Sequence, residues 1–204
     1  MTHPSKRVIA AFDFDETLTF RDTLLPFLCF AVGKKRTYFT LTKILPKLIG
    51  YLLKIYSRKD IKEALLSNLL AEIPYREIKN QGLLFAQKIV PPLLNPKMMA
   101  RMRWHQQQGH SCVIVSAAMD FYVQPWGKLE NFDEVIASRC QVNSEGFITG
   151  RLEGENCWGS EKVRRLEEKL GPKRNYILYA YGDSEGDKEL LELADHPFYR
   201  YQGK

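Results

Sequence analysis

Three stretches of this chain are nearly continuous apolar runs: "KRVIAAFDFD" at 6–15, "SCVIVSAA" at Ser111–Ala118 and "NYILYAYGD" at Asn175–Asp183. They are rich in β-branched and aromatic residues and lack helical spacing, so each reads as a strand. A strand with one wet face alternates apolar and polar residues; runs like these suit parallel strands covered on both faces. Turn signals introduce the second (Gln108-Gly109-His110) and the third (Gly171-Pro172). Each run ends in a polar or small cluster leading into a helical pattern. The chain therefore reads as α/β, a Rossmann-like doubly wound parallel sheet whose ligand site lies outside the carboxyl ends of its strands.

Between the first two runs lie roughly ninety residues, far more than one crossover needs. They read as helices: "DTLLPFLCFAV", a Gly-Lys-Lys-Arg turn, "TYFTLTKILPKLIGYLLKIY", "RKDIKEALLSNLLAEI" and "YREIKNQGLLFAQKIV", closed by Pro91-Pro92. A helical cap is expected at 18–92, hinged near Leu18 and Pro92, with the catalytic core formed by 1–17 and 93–204. Farther on, "CQVNSEGFITGRLEG" resembles a hairpin turning at Gly146, and "SEKVRRLEEKLG" a helix with Ser160 as N-cap and Gly171 as stop. "SEGDKELLELA" reads as one more helix.

With 204 residues there is room for one α/β domain and an inserted subdomain. The net charge of +6 suits an anionic partner: phosphorylated metabolite, anionic lipid or nucleic acid. The four cysteines and four histidines are scattered without zinc-type spacing, which fits unpaired thiols in a reducing compartment. The apolar run near the start ends at an Asp and lacks the form of a signal peptide, so a cytoplasmic protein is expected.

At the carboxyl ends of the three runs stand Asp13 and Asp15, then Ser116, then Asp183 with Asp187 four residues on. In an extended chain, Asp13 and Asp15 fall on the same side. Parallel strands bring these ends together, and several carboxylates at one spot resist ionising together. A divalent cation removes that conflict, and hard oxygen donors favour Mg²⁺ over zinc. Mg²⁺ commonly takes one or two protein carboxylates plus a phosphate. A hydroxyl (Ser116) and a cation would then hold the other phosphoryl oxygens. Lys162 is the best-placed cation, odd near a helix N-terminus, where positive charge is mildly unfavourable.

"DFDETLT", "VIVSAA", the lone Lys162 and "GDSEGD", in this order, resemble the four motifs of the haloacid dehalogenase superfamily of phosphohydrolases. The insert after the first strand is similar to that superfamily's cap, and "VNSEGFITGRLEG" with "WGSEKVRRL" to its phosphoserine-phosphatase-like branch. The resemblance implies Asp13 as nucleophile, forming an aspartyl-phosphate, and Asp15 as acid and base, with its carbonyl on Mg²⁺. It implies Asp183 as main metal ligand and Asp187 as orienting a metal water or Lys162. Thr17 would brace the loop, and Ser116, Ala117 and Lys162 would surround the phosphoryl group. Taken singly, these residues also read as turns, helix caps or solvated positions. Asp22 reads equally as a substrate contact or a helix N-cap, and Cys157-Trp158 as packing.

The cap selects the substrate in that superfamily, and here it is basic: Lys34, Lys35, Arg36, Lys43, Lys47, Lys54, Arg58, Lys59 and Lys62 against Asp60. On one helix through Leu41–Tyr56, Lys43, Lys47 and Lys54 would share a face opposite Leu41, Ile44, Leu45, Leu48, Leu52 and Ile55, with Pro46 a kink or a fresh start. This reads as a bundle with a basic rim, or as a helix docking peripherally on the inner face of an anionic membrane. The latter is reminiscent of the phosphatidylglycerophosphate phosphatases in this branch. Ser116-Ala117-Ala118 departs from the Ser-Gly-Gly of phosphoserine phosphatases, and Arg58 is a candidate for a substrate carboxylate. The expected partner is a small phosphorylated substrate, with no nucleic acid. A basic nucleic-acid or membrane binder without turnover is the non-enzymatic alternative.

Overall fold

The structure, a computed structural model, describes residues 6–202; the outermost parts of the expected core, 1–5 and 203–204, lie outside it. The three apolar runs form β1 (Arg7–Phe12), β2 (Ser111–Met119) and β6 (Tyr176–Gly182). Two strands not foreseen, β3 (Glu134–Ser138) and β7 (His196–Tyr199), complete a five-stranded sheet in the order β3-β2-β1-β6-β7. Every neighbouring pair is parallel.

Period-two alternation divides each central strand between two cores. Ala10, Phe12, Cys112 and Ile114 face one side; Ile9, Ala11, Val113 and Val115 face the other. The first side is closed by Met98 and Met102 of α6 (Pro96–Gln107) and by Phe121, Tyr122 and Trp126 of α7 (Asp120–Leu129). The second is closed by Leu166 of α8 (Ser160–Leu170) and Leu190 and Leu191 of α9 (Lys188–Leu193). Burial on both faces is why the strands show no polar alternation.

The insertion comprises α1 (Leu24–Val32), α2 (Lys34–Lys43), α3 (Leu45–Leu52), α4 (Arg58–Leu69) and α5 (Tyr75–Lys88). Its outgoing and returning chains lie side by side: Phe20 N–H donates to the Leu93 carbonyl (2.8 Å) and Asn95 N–H to that of Leu18 (2.8 Å). A second attachment is formed by α4 and α5. A Cβ on Gly82 of α5 would lie 1.9 Å from the Phe121 carbonyl oxygen of α7, so only glycine permits this approach. β4 (Cys140–Val142) and β5 (Ile148–Leu152) form the expected hairpin, and a Cβ on Gly150 would lie 2.3 Å from Ser67 Cα of α4. Glu72 N–H to Ile148 O (2.9 Å), Ile148 N–H to Ile73 O (3.0 Å) and Tyr75 N–H to Gly146 O (2.9 Å) stitch the α4–α5 loop to this hairpin. Moving the whole insertion as a lid would break all of these bonds.

Several helical expectations need correction. Lys34, Lys35 and Arg36 belong to α2, leaving Gly33 alone as the turn. Of the two readings of Pro46 within Leu41–Tyr56, the fresh start holds: Ile44 interrupts the helix, and Pro46 sits in the first turn of a new one, where its missing N–H has no partner to lose. Lys54, at φ 59°, lies beyond the end of α3. The apolar face therefore divides: Ile44 is buried, whereas Leu45, Leu52 and Ile55 are exposed. Ser160 is the first helical residue of α8, and Gly159 takes the N-cap position.

Candidate active site

β1 ends at Phe12, and Asp13 continues its direction, with φ −69° and ψ 160° and its N–H on the Tyr181 carbonyl (2.9 Å). The chain then makes one wide turn over Phe14–Leu18, closed by Thr19 N–H to Phe14 O (3.0 Å), with Glu16 left-handed at φ 58°. A non-glycine residue in that region stores strain of order 1–3 kcal/mol. Asp13 and Asp15 consequently do not line one side of a continuous strand. Asp13 Oδ1 accepts from Lys162 Nζ at 2.7 Å, whereas Asp15 Oδ1 accepts from the Thr23 N–H (3.0 Å) and hydroxyl (2.6 Å). The turn sends the two carboxylates to different partners.

Lys162 lies in the first turn of α8, fully buried, and its Nζ also donates to Asp187 Oδ1 at 2.5 Å. Gly159 N–H donates to the Gly186 carbonyl (2.9 Å), tying the entry of α8 to the loop after β6. The other Asp187 oxygen accepts from the Ser184 N–H (3.0 Å) and hydroxyl (2.8 Å) and from the Asp183 N–H (3.2 Å). The Thr17 hydroxyl donates to Asp183 Oδ1 at 3.0 Å. Ser116, at the carboxyl end of β2, is buried, and its oxygen accepts from the Ala118 N–H (3.1 Å).

Burial dominates the electrostatics. It raises the Asp13 carboxyl, with Lys162 opposing. It raises Asp15 well above the usual range, helped by Asp22 and opposed by Thr23. Asp183 rises to about 6 through burial and then the charge of Asp13. Burial works on Asp187 and Lys162 as well, but their mutual attraction prevails: Asp187 is lowered, and Lys162, drawn also by Asp13, is raised.

Carboxylate oxygens of Asp13, Asp183 and Asp187 lie within 4.8 Å of one another. Lys162 balances one of these three buried negative charges, so the cluster fits a divalent cation. Its all-oxygen donor set fits Mg²⁺. A polar cleft lined by Glu16, Thr17, Asn95, Asp183 and Arg200 opens onto this side of the cluster. The Asp15 carboxylate stands outside the group.

A second cleft, of about 270 Å³, lies between insertion and core. Asp15 and Ala117 lie at its core side, Asp22, Arg58 and Lys62 supply charge, and Leu24, Leu48, Ile61 and Leu65 form apolar walls. Asp22 lines the cleft and its Oδ1 accepts from the Leu24 N–H (2.9 Å), but the N-cap position of α1 expected for it is taken by Thr23. Arg58 reaches over the Trp158 ring, 5.5 Å from its centroid, and Trp158 lines the cleft rather than only packing.

Sequence reasoning gave no site role to four side chains here, although Lys62 was counted in the basic cap. Lys62 reaches from α4 to the core, its Nζ donating to the Ala117 carbonyl (2.6 Å) and to Asn156 Oδ1 (2.7 Å). Burial lowers its pKa to about 8. Asn156 is the second, Thr23 the third. The fourth is Tyr122, whose hydroxyl lies 3.0 Å from the Thr23 oxygen. The available signal was position: Lys62 stands one helical turn after Arg58, on the same face.

The family of haloacid dehalogenase-like hydrolases matches residues 10–192, spanning the acidic cluster, Lys162 and the whole insertion. The chain belongs to this family. Within the family's reach, Protein CicA of Caulobacter vibrioides is 36% identical over 198 residues, covering 97% of this chain and 88% of that protein. A Bordetella pertussis protein of unknown function superposes with a TM-score of 0.80 at 24% identity, covering 96% and 90% of the two chains. A substrate-bound phosphoserine phosphatase superposes at 0.61 with 19% identity, covering 93% and 84%. Membership makes the chain a hydrolase, and its fold is shared with phosphatases.

Proposed function

We propose that the chain is a cytoplasmic, Mg²⁺-dependent phosphomonoester hydrolase working through an aspartyl-phosphate on Asp13. The observation that carries this reading is the Lys162 bridge. One buried ammonium joins Asp13, 149 residues away, to Asp187 in the turn between β6 and α9. That contact assembles a nucleophile, a phosphoryl-binding cation and an acidic cluster at the carboxyl ends of the sheet. Four free thiols suit a reducing compartment.

Held by Asp13, the Asp15 carbonyl, Asp183 and Asp187, Mg²⁺ would neutralise phosphoryl charge. The chain's own groups do the rest. An Asp13 oxygen attacks phosphorus, forming an O–P bond as the bond to the substrate oxygen breaks. Asp15, whose carboxyl burial pushes well above the usual range, gives a proton to the departing oxygen. It then takes a proton from the water that displaces the Asp13 oxygen from phosphorus, which frees phosphate and restores both carboxyls. Lys162 and the Ser116 hydroxyl hold the phosphoryl oxygens, where charge spreads in a loose transition state. Thr23 and Tyr122 fix the orientation of Asp15.

The apolar walls and the Arg58–Lys62 pair favour a phosphomonoester with an apolar body and a second anionic or acceptor group. The walls reach α3, whose outward face is also apolar, and this favours a lipid-borne phosphate as a second reading. Hydrolysis across a panel of phosphorylated metabolites and lipid phosphates, with Mg²⁺ and with EDTA, tests the proposal; equal turnover in EDTA would sink it. Asp15→Asn should lower kcat by about 10²–10⁴-fold. The loss in kcat/KM, which reports the first step, should be smallest for aryl phosphates, whose leaving group needs no proton, and these should show a stoichiometric burst of phenol. Equal losses of kcat/KM for alkyl and aryl esters would remove Asp15 from the acid role.

Lys62 adds a pH signature. It carries charge below about 8, so anionic substrates should bind fully there, with KM rising as pH passes that value. Lys62→Arg, which stays charged, should remove this alkaline limb, and Lys62→Met should raise KM already at neutral pH. A KM profile indifferent to both substitutions would show that Lys62 does not face the substrate.

A further inference from the structure

α3 has two faces with opposite duties. Leu48 and Tyr51 line the cleft, whereas Leu45, Ile49, Leu52 and Leu53 fall at helical spacing on the other side and are exposed. Leu52 is 78% exposed, Leu53 67%, and Ile55, just beyond the helix, 70%. α2 continues the apolar surface with Tyr38 and Phe39, both more than half exposed. Singly exposed apolar residues are ordinary, but this many large ones on two consecutive helices mark a contact surface.

The segment that builds this surface carries charge of one sign, although Lys59 at its end pairs with Glu155. Between Asp22 and Asp60 the sequence contains no acidic residue, while Lys34, Lys35, Arg36, Lys43, Lys47, Lys54, Arg58 and Lys59 make eight basic ones. Asp60 at the far end is engaged by Ser57 in a capping box. Lys43 Nζ sits 4.8 Å from the centre of the exposed Phe39 ring, and Lys47 Nζ 5.9 Å from that of Tyr56. Exposed leucines and aromatics rimmed by lysines match both layers of an anionic bilayer surface, the acyl boundary and the headgroups. Among the described residues no helix is long and apolar enough to cross a membrane.

We propose that the outward face of α2–α3 docks on an anionic bilayer, with the cleft mouth held beside the headgroups. This surface is argued from exposure and charge, so it stands or falls apart from the reaction proposed at Asp13. Flotation with vesicles of phosphatidylcholine, alone or mixed with phosphatidylglycerol, tests it directly. The wild-type chain should float with the mixed vesicles at low salt and much less with phosphatidylcholine alone. The double variant L52E/L53E should partition at least tenfold less while hydrolysing a soluble aryl phosphate at the wild-type rate, because neither residue lines the cleft. Asp13→Asn should float like the wild type whatever its activity. Absence of flotation on mixed vesicles at low salt would overturn the proposal, as would partitioning unchanged by L52E/L53E. So would a stable dimer in sedimentation that the double variant splits, since the face would then be covered by a second copy of the chain.

Discussion

Asp13→Asn should lower kcat by at least about 10⁴-fold, the scale seen when a covalent nucleophile is removed. The substitution is nearly isosteric, and the remaining carbonyl oxygen can still accept from Lys162 Nζ, which lies 2.7 Å from the wild-type carboxylate. The fold should therefore persist, and substrate should still bind in the cleft, whose walls do not include Asp13. What is lost is the attacking oxygen. Mass spectrometry of the wild type quenched during turnover should show a phosphoryl adduct on the peptide carrying Asp13, absent from the variant. Retention of Mg²⁺-dependent turnover by Asp13→Asn would remove the central step of the mechanism.

Lys162→Met should act on stability as much as on rate. The wild-type ammonium lies between Asp13 and Asp187, with Asp183 completing a buried carboxylate cluster. Deleting one partner of a buried ion pair typically costs about 3–5 kcal/mol, because the remaining charge is left uncompensated. Mg²⁺ offers a substitute charge, so the variant's melting temperature should depend on Mg²⁺ more steeply than that of the wild type. The pH effect has a definite sign. Without Lys162 the carboxyls have folded-state pKa values above their unfolded ones, so the folded chain binds more protons in that window and loses stability as pH rises through it. In EDTA the variant should therefore recover part of its deficit as pH falls from neutral towards 5. A melting temperature no lower than wild type in EDTA would show that Lys162 does not neutralise this cluster. In the rate, loss of one donor to the phosphoryl oxygens should remove a further factor of about 10²–10³.

The central strands were legible because burial on both faces leaves an unbroken apolar run, and the acidic and hydroxyl residues beyond them were legible because parallel strands end together. The two edge strands were not. β3 has only five residues, and β7 is "HPFY", whose proline reads as a strand breaker. Pro197 is tolerated there because it sits on the sheet's edge, opposite Ala180 of β6. The break at Ile44 was legible only as one of two readings of Pro46, because leucine and lysine periodicity runs on across it. Lys62 and Asn156 were illegible for a different reason. Their meeting depends on how closely α4 and α5 approach the core, which Gly82 and Gly150 set through contacts remote in sequence. Local pattern carries the charged ends of a strand well and carries a contact between two packed bodies poorly.

Those two glycines also divide the labour of the insertion. From Ser57 onward the polypeptide is moored to the hairpin and to α7, so Lys62 keeps its reach to Ala117 at the core side of the cleft. The stretch before it, α1 to α3, is a partition whose inner wall shapes the cleft and whose outer wall is exposed, while the buried Phe27 ties its first helix to α5 and α7. Substitutions on that outer wall can change the surface without disturbing the distance between the moored lysine and Ala117.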